Sequence, residues 1–364
     1  MRIFPCPACG SIVYFEQRAC TECGTEVGFS RADRTMVPLT DGVWIDDKGD
    51  RWHHCENERI GCNWLAASAD TLCFSCALTR SVPDDLDERV IRLLAETAEA
   101  KRRLVFQLDD LDLPIVSHCQ QPDGGLAFDL DASTDDKKVM IGHMNGVITI
   151  DITEAQDSHR EALRALLDEP YRTMLGHFRH EIGHYYWQAL VAQHDDWLQR
   201  FRDLFGDERQ DYGAALNAHY GDDDDERRQD RATRSENYIS QYAMTHPWED
   251  FAETFAHFLH IADTLQTAAA HGLQLRFPDS WPDKVRVEQT SIPTLAGAPT
   301  ADAADLLSIW NPLATALNRV NRSMGKHDLY PFTITDQVAD KLTFVLELVR
   351  HFAGENSVIT SPTH

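Results

Sequence analysis

The stretch of this chain best suited to chemistry is His180-Glu181-Ile182-Gly183-His184. On a helix, residues four apart lie one turn above each other on the same face. His180 and His184 can therefore take adjacent corners of a zinc tetrahedron. Glu181 is offset around the helix and can reach a water on such an ion. Tyr171, Leu175, Phe178, Ile182 and Tyr185 supply an apolar helical surface, and Pro170 suits the start of that helix. Two histidines and a carboxylate are costly to bury on such a surface without a metal. The pattern is the one expected of a zinc-dependent peptidase.

The third ligand sets the subclass. A metzincin would carry glycine at 187 and histidine at 190; Trp187 and Leu190 stand there and exclude it. A glutamate-zincin needs a downstream helix bearing a ligand glutamate, and His246-Pro247-Trp248-Glu249-Asp250-Phe251-Ala252-Glu253 fits. Pro247 suits the first helical position, with His246 at the cap. Glu249 and Glu253 share one helix face. We read Glu249 as the ligand and Glu253 as the residue that orients a ligand imidazole from behind. Glu253, His246, His257 and His260 stay open as alternative ligands. In this scheme Glu181 takes a proton from the attacking water and passes it to the leaving amine.

Eight of the nine cysteines precede residue 77. Cys6, Cys9, Cys20 and Cys23 form two Cys-x-x-Cys knuckles, each followed by a glycine, Gly10 and Gly24, which lets the backbone curl its N–H groups toward the sulfurs. Four thiolates with no open position suit structural zinc, with rubredoxin-like iron as the alternative. Cys55, Cys62, Cys73 and Cys76 make a second four-cysteine set, with His53 and His54 as competing ligands. Residues 1–82 thus read as a small metal-held module, a ribbon at 1–30 and a second zinc-binding segment at 31–82, too small to fold on its core alone. Cys119, beside His118, reads as a free thiol.

The elements that must position these groups follow from patterning. Residues 83–364 form the expected catalytic domain. Pro83 to Leu108 shows helical spacing of Leu86, Val90, Leu93, Leu94 and Ala98. Val139–Met144 and Val147–Ile152 flank Asn145-Gly146, a hairpin signal. In a zincin fold the second of these strands can edge the cleft and pair with an extended substrate; a plain sheet strand is the equal alternative. Ser158 to Asp168 reads as a helix with a capping box to Glu161. Asp222–Glu226 and Arg227–Arg228 belong to a polar insertion at 206–235, read as a solvated loop or a lid. The Met324-Gly325 pair reads as a helix stop or a pocket wall. The expected fold class is α+β: a mostly helical zincin-like domain with a small edge β-sheet behind a Cys-rich zinc ribbon.

Composition narrows the function. Lys and Arg number 34 against 59 Asp and Glu, a formal charge of -25. That field opposes general nucleic-acid binding. No run of 18 apolar residues suits a membrane span, and the start lacks the apolar core of a signal peptide, so the cytoplasm is the expected location.

The segments from His143 through Tyr185 and from Tyr242 to His260 resemble a bacterial family of zinc-binding metallopeptidases with an amino-terminal zinc ribbon. Tyr171–Arg179, leading into the histidine motif, is part of that likeness, as are Asn321-Arg322-Ser323-Met324-Gly325 and Asp328-Leu329-Tyr330-Pro331-Phe332. A narrower likeness is to lethal-factor-type glutamate-zincins, in which a tyrosine seven residues before the ligand glutamate faces the site. That resemblance implies that Tyr242 hydrogen-bonds the oxyanion of a tetrahedral intermediate, with Tyr238 a weaker competitor. The expectations are one catalytic and two structural Zn2+, a peptide or protein substrate, and a protein partner on the ribbons. The competing class is a non-catalytic zinc-binding interaction module on the same scaffold.

Overall fold

The computed structural model describes residues 2–134, 136–156, 173–215, 235–275 and 303–354. The expected helix Ser158–Asp168 and the charged run Asp222–Arg228 lie outside these residues. The chain divides into two compact units. One comprises Met1–Gln107 and Val116–Phe178; the other comprises Leu108–Ile115 and Arg179–His364. The sequence-based boundary at residue 82 falls inside the first unit.

The first unit is built from short strands: β1 (Ile3–Pro5), β2 (Ile12–Tyr14), β3 (Val27–Ser30), β4 (Thr35–Pro38), β5 (Val43–Ile45), β6 (Arg51–His54) and β7 (Leu65–Ala66). They pair as hairpins β1–β2 and β3–β4 and as a three-stranded meander β5-β6-β7. Helix α1 (Phe74–Ala77) and strand β8 (Thr79–Ser81) follow, then helix α2 (Glu88–Asp110). Asp87 caps α2, accepting a hydrogen bond from Val90 N at 2.7 Å, so the helix begins five residues after Pro83. Phe106 of α2 completes an aromatic core for the module, 4.7 Å from the Phe15 ring and 5.5 Å from Phe29, with Phe4 and Trp64 around them.

Strands β9 (Ala127–Asp131), β10 (Gly142–Met144) and β11 (Val147–Asp151) join β8 in a sheet of order β10-β11-β9-β8. The Asn145-Gly146 hairpin is present, with both turn residues at positive φ. Its first strand is shorter than expected, starting at Gly142. Ile148 and Ile150 are fully buried against Phe128 and Leu130 of the parallel neighbour β9. Strand β11 therefore has partners on both sides. It cannot accept an extended peptide as an added strand, which corrects the expectation that it forms an edge; β10 and β8 are the edge strands.

The second unit is helical. Helix α3 (Met174–Tyr186), which belongs to this unit from Arg179 onward, carries the histidine motif and ends in a π-helical turn, Trp187–Val191. Then come α4 (Asp195–Phe205), a 3-10 turn (Tyr242–Met244), α5 (Pro247–Ala270), α6 (Ala303–Ser323) and α7 (Asp336–Phe352). Helix α5 starts where the sequence places it: Pro247 occupies its first turn and His246 Nδ1 accepts from Trp248 N at 3.1 Å. Phe251, Ala252, Phe255, Leu259 and Ala262 are buried together with Glu249, Asp250, His257 and His260, so α5 is a central helix covered on nearly every face. It packs against α4 and α7 through Phe201, Phe205, Phe251 and Phe344. After α6, Gly325 stops the helix at positive φ, its N–H donating to Arg322 O at 2.9 Å. No described helix is long and apolar enough to cross a membrane.

Four acids are embedded in α5, and three can be matched to a cation or imidazole at once. Asp250 accepts from Lys341 Nζ at 2.6 Å, Asp263 from Arg179 at 2.7 Å and Glu253 faces His180 at 2.8 Å. Burial still pushes Asp250 up to about 7, against the pull of Lys341. His260 Nδ1 accepts from Arg179 at 2.6 Å. His257 Nδ1 meets the Tyr330 hydroxyl at 2.8 Å, and Asn318 holds Tyr330 through two backbone hydrogen bonds. The Asp328–Phe332 segment singled out from the sequence thus braces a buried histidine of α5.

Where α3 crosses α5, the chain has no room for a side chain. A Cβ on Gly183 would stand 2.8 Å from Ala252 Cα and 3.1 Å from its carbonyl oxygen. Both neighbours are backbone, so they cannot swing aside as a side-chain tip would.

Two outcomes follow. Gly183→Ala should separate the two helices, lowering stability by about 1–3 kcal/mol and weakening metal binding by His180 and His184; thermal melts and zinc titration measure both. Burial also depresses His257 to about 4, below the unfolded value near 6.5. A depressed histidine stabilises the fold above the unfolded pKa, and that contribution is lost as pH falls toward the folded one. The stability advantage of wild type over His257→Gln should therefore shrink by about 3 kcal/mol between pH 7 and pH 4, read by urea unfolding at each pH.

Candidate metal centres

Each four-cysteine set comes together in space. In the first, Cys6 and Cys23 sulfurs are 3.7 Å apart, as are those of Cys9 and Cys20. In the second, Cys62 lies 3.7 Å from both Cys73 and Cys76. A tetrahedral zinc with Zn–S bonds of about 2.3 Å requires edges of about 3.8 Å. The sulfurs are thus spaced for a shared ion and too far apart for disulfides. Each first-set knuckle closes in a tight turn, Gly10 N donating to Cys6 O and Gly24 N to Cys20 O, both at 2.9 Å. In the second set Cys73 N donates to Cys55 Sγ at 3.2 Å, and Cys73 also caps α1. His54 is engaged with Glu26 at 2.8 Å and takes no part in the set.

A buried cation near the second set was not legible in the sequence. Lys101 of α2 is 1 % exposed. Its ammonium donates to Ser75 O at 2.6 Å and to the Thr79 hydroxyl. Burial lowers its pKa, and the charges of Cys76, Cys73 and Cys62 oppose that shift. Four thiolates around a divalent ion leave a net charge of about two negatives, which Lys101 partly balances inside the core. Lys101, Cys76, Leu72, Val82 and Leu94 also line a cavity of about 370 Å3, which contains no residue of the histidine motif.

The third cluster lies in the second unit. His180 Nε2 is 3.0 Å from Glu249 Oε2, His184 Nε2 is 3.4 Å from the same oxygen, and the two imidazole nitrogens are 3.2 Å apart. For bonds of about 2.1 Å, tetrahedral zinc needs ligand edges of about 3.4 Å. The three atoms form a triangle of that size, and His180, His184 and Glu249 are grouped as a possible single-ion site. Glu249 is 1 % exposed, and its Oε2 has no hydrogen-bond donor; buried Glu181 Oε2 likewise has none. Two orphaned carboxylate oxygens of this kind fit a cation and a water as their partners.

Behind the triangle, His180 Nδ1 faces Glu253 Oε1 at 2.8 Å. With its Nδ1 proton on Glu253, His180 presents an Nε2 lone pair to a metal. Burial disfavours charge on His180, but Glu249 and Glu253 outweigh it and hold the imidazole well above its ordinary pKa. Burial also pushes Glu249 toward the neutral form; His184 and His180 reverse this and hold it well below the usual carboxylate range. The same negative field would meet a divalent ion at the triangle. His246, His257 and His260 are all engaged elsewhere, as helix cap, with Tyr330 and with Arg179.

Tyr242 sits at the start of its 3-10 turn with its ring 5.7 Å from that of His180. Tyr238 instead faces Lys341, 4.3 Å from ring centre to ammonium. A tyrosine missed by the sequence reading is closer to the ligands: the Tyr212 hydroxyl donates to Glu249 Oε1 at 2.6 Å. Cys119 is exposed, 3.6 Å from His118 Nε2, and belongs to none of the three clusters.

Comparison with known proteins gives a consistent picture. Residues 3–87 match a zinc-ribbon domain. Uncharacterized protein Rv2568c of Mycobacterium tuberculosis strain H37Rv is 43% identical over 358 residues, 98% of this chain and 97% of that protein. Uncharacterized protein Mb2598c of Mycobacterium bovis matches to the same extent. No solved structure matches the chain. Residues 91–348, which hold the whole third cluster, match the family described as "Putative zinc-binding metallo-peptidase", and the chain belongs to that family.

Proposed function

We propose that the chain is a zinc-dependent peptidase of glutamate-zincin type, with His180, His184 and Glu249 as ligands of one catalytic Zn2+ and the two cysteine sets each holding a structural Zn2+. The observation that carries this reading is the triangle of Nε2, Nε2 and Oε2 atoms with edges of 3.0, 3.2 and 3.4 Å beside an unpartnered Glu181 oxygen. Three protein ligands leave a fourth tetrahedral position open, as catalytic sites require and structural ones do not.

A zinc ion bound there supplies Lewis acidity to a water and to the scissile carbonyl. Glu181, on the helix turn between the two histidines, accepts the proton of the attacking water and delivers it to the leaving amine. Glu253 holds the His180 ring by its Nδ1 edge, which fixes the direction of Nε2. Tyr242, its ring 5.7 Å from that of His180, is assigned to donate to the developing oxyanion. Protein or peptide is the substrate class this chemistry serves. The net charge of -25 argues against nucleic acid as a partner, so the ribbon module is assigned to protein contacts, and the cytoplasm is the assigned location.

Glu181→Gln tests the assignment, because it removes the base and keeps the shape. The variant should retain its zinc and lose peptide-library cleavage by about 10²–10⁴-fold. Undiminished cleavage in that variant would sink the role of Glu181. A wild-type protein that binds the ion and cleaves nothing would instead be the non-catalytic scaffold.

A further inference from the structure

Glu249 is a ligand candidate with two oxygens, and the terminal torsion of a glutamate is soft. Something has to decide which oxygen faces the histidines and whether one or both reach an ion. Oε2 faces His180 and His184, at 3.0 and 3.4 Å. Oε1 is held from the other side by the Tyr212 hydroxyl at 2.6 Å. A phenol donating to a carboxylate makes a charge-assisted bond, among the stronger hydrogen bonds a protein offers.

The Tyr212 proton is committed to Glu249, because an ionised carboxylate can only accept. The segment bearing Tyr212 is itself anchored. His246 Nδ1 accepts from Trp248 N, so the ring proton sits on Nε2, which donates to Gln210 O at 3.3 Å. The Tyr212 ring packs edge-on to His246 at 5.2 Å and against Trp248 at 5.8 Å. Residues 210–212 are thus hooked onto the first turn of α5, where Glu249 stands.

We propose that Tyr212 is the positioning residue of the metal centre: its hydroxyl occupies Glu249 Oε1 so that Oε2 alone faces the ion. The proposal rests on the reading of His180, His184 and Glu249 as a zinc site. It assigns Tyr212 no contact with substrate.

Tyr212→Phe removes the hydroxyl and keeps the ring packing; Tyr212→Ala removes both. In the full-length protein, zinc affinity of the third site is read by chelator competition, and ligand geometry by the visible spectrum of the Co2+-substituted site. Tyr212→Phe should lose 10–100-fold in zinc affinity, the usual cost of an outer-shell partner. It should account for most of the loss in Tyr212→Ala and alter the Co2+ spectrum while the melting temperature stays near wild type. Wild-type affinity and spectrum in Tyr212→Phe, with loss only in Tyr212→Ala, would overturn the proposal and leave ring packing as the sole role. A His184→Ala variant that keeps the zinc content of wild type would contradict the metal site itself, and the proposal with it.

Discussion

One contact sets the geometry of the site: the meeting of helices α3 and α5 at Gly183 and Ala252. No side chain separates the two backbones there, since a Cβ on Gly183 would fall 2.8 Å from Ala252 Cα. Ligands from two helices can share an ion only if their axes approach closely. The imidazoles rise from α3 on either side of Gly183, at 180 and 184. Glu249 and Glu253 rise from α5 on either side of Ala252. The crossing point is therefore bracketed by a ligand pair on one helix and a carboxylate pair on the other. Glycine sits within the motif because the second helix occupies the space.

That approach brings acids into a dry interior, and the helix answers each one. Asp250 is countered by Lys341 and Asp263 by Arg179, both at hydrogen-bonding distance. Glu253 is countered by His180, which leaves Glu249 facing two imidazoles and a phenol. Buried charges of this kind contribute little net stability, but removing one partner typically costs about 3–5 kcal/mol. Their use here is positional. Each pair fixes a rotation of α5 or a ring angle, and together they hold the Glu249 carboxylate in one place. The second cysteine set has a buried cation of its own in the first unit, Lys101, which donates to Ser75 O at 2.6 Å.

Much of this was legible in the sequence because it is local. His180 and His184 are one turn apart, the cysteine knuckles close on themselves, and His246-Pro247 marks a helix start within two residues. The Asn145-Gly146 turn announced its hairpin for the same reason. The parts that were not legible are long-range. Tyr212 lies 37 positions from Glu249, beyond a polar stretch with no periodicity. Lys101 lies 25 positions from Cys76 and looks like an ordinary helix lysine. The parallel pairing of β9 with β8 and β11 moved the Ile148 strand from the edge to the interior, and no alternation pattern distinguishes those cases. Nothing in the sequence marks Gly183, because its missing side chain matters only at a crossing that the fold reveals.

Anomalous diffraction at the zinc edge, on crystals of the protein as purified, tests the central claim most directly. The account predicts three peaks: one within each four-cysteine set and a third about 2.1 Å from His180 Nε2, His184 Nε2 and Glu249 Oε2. Two peaks at the cysteines with none between α3 and α5, or a third ion held by other side chains, would contradict it.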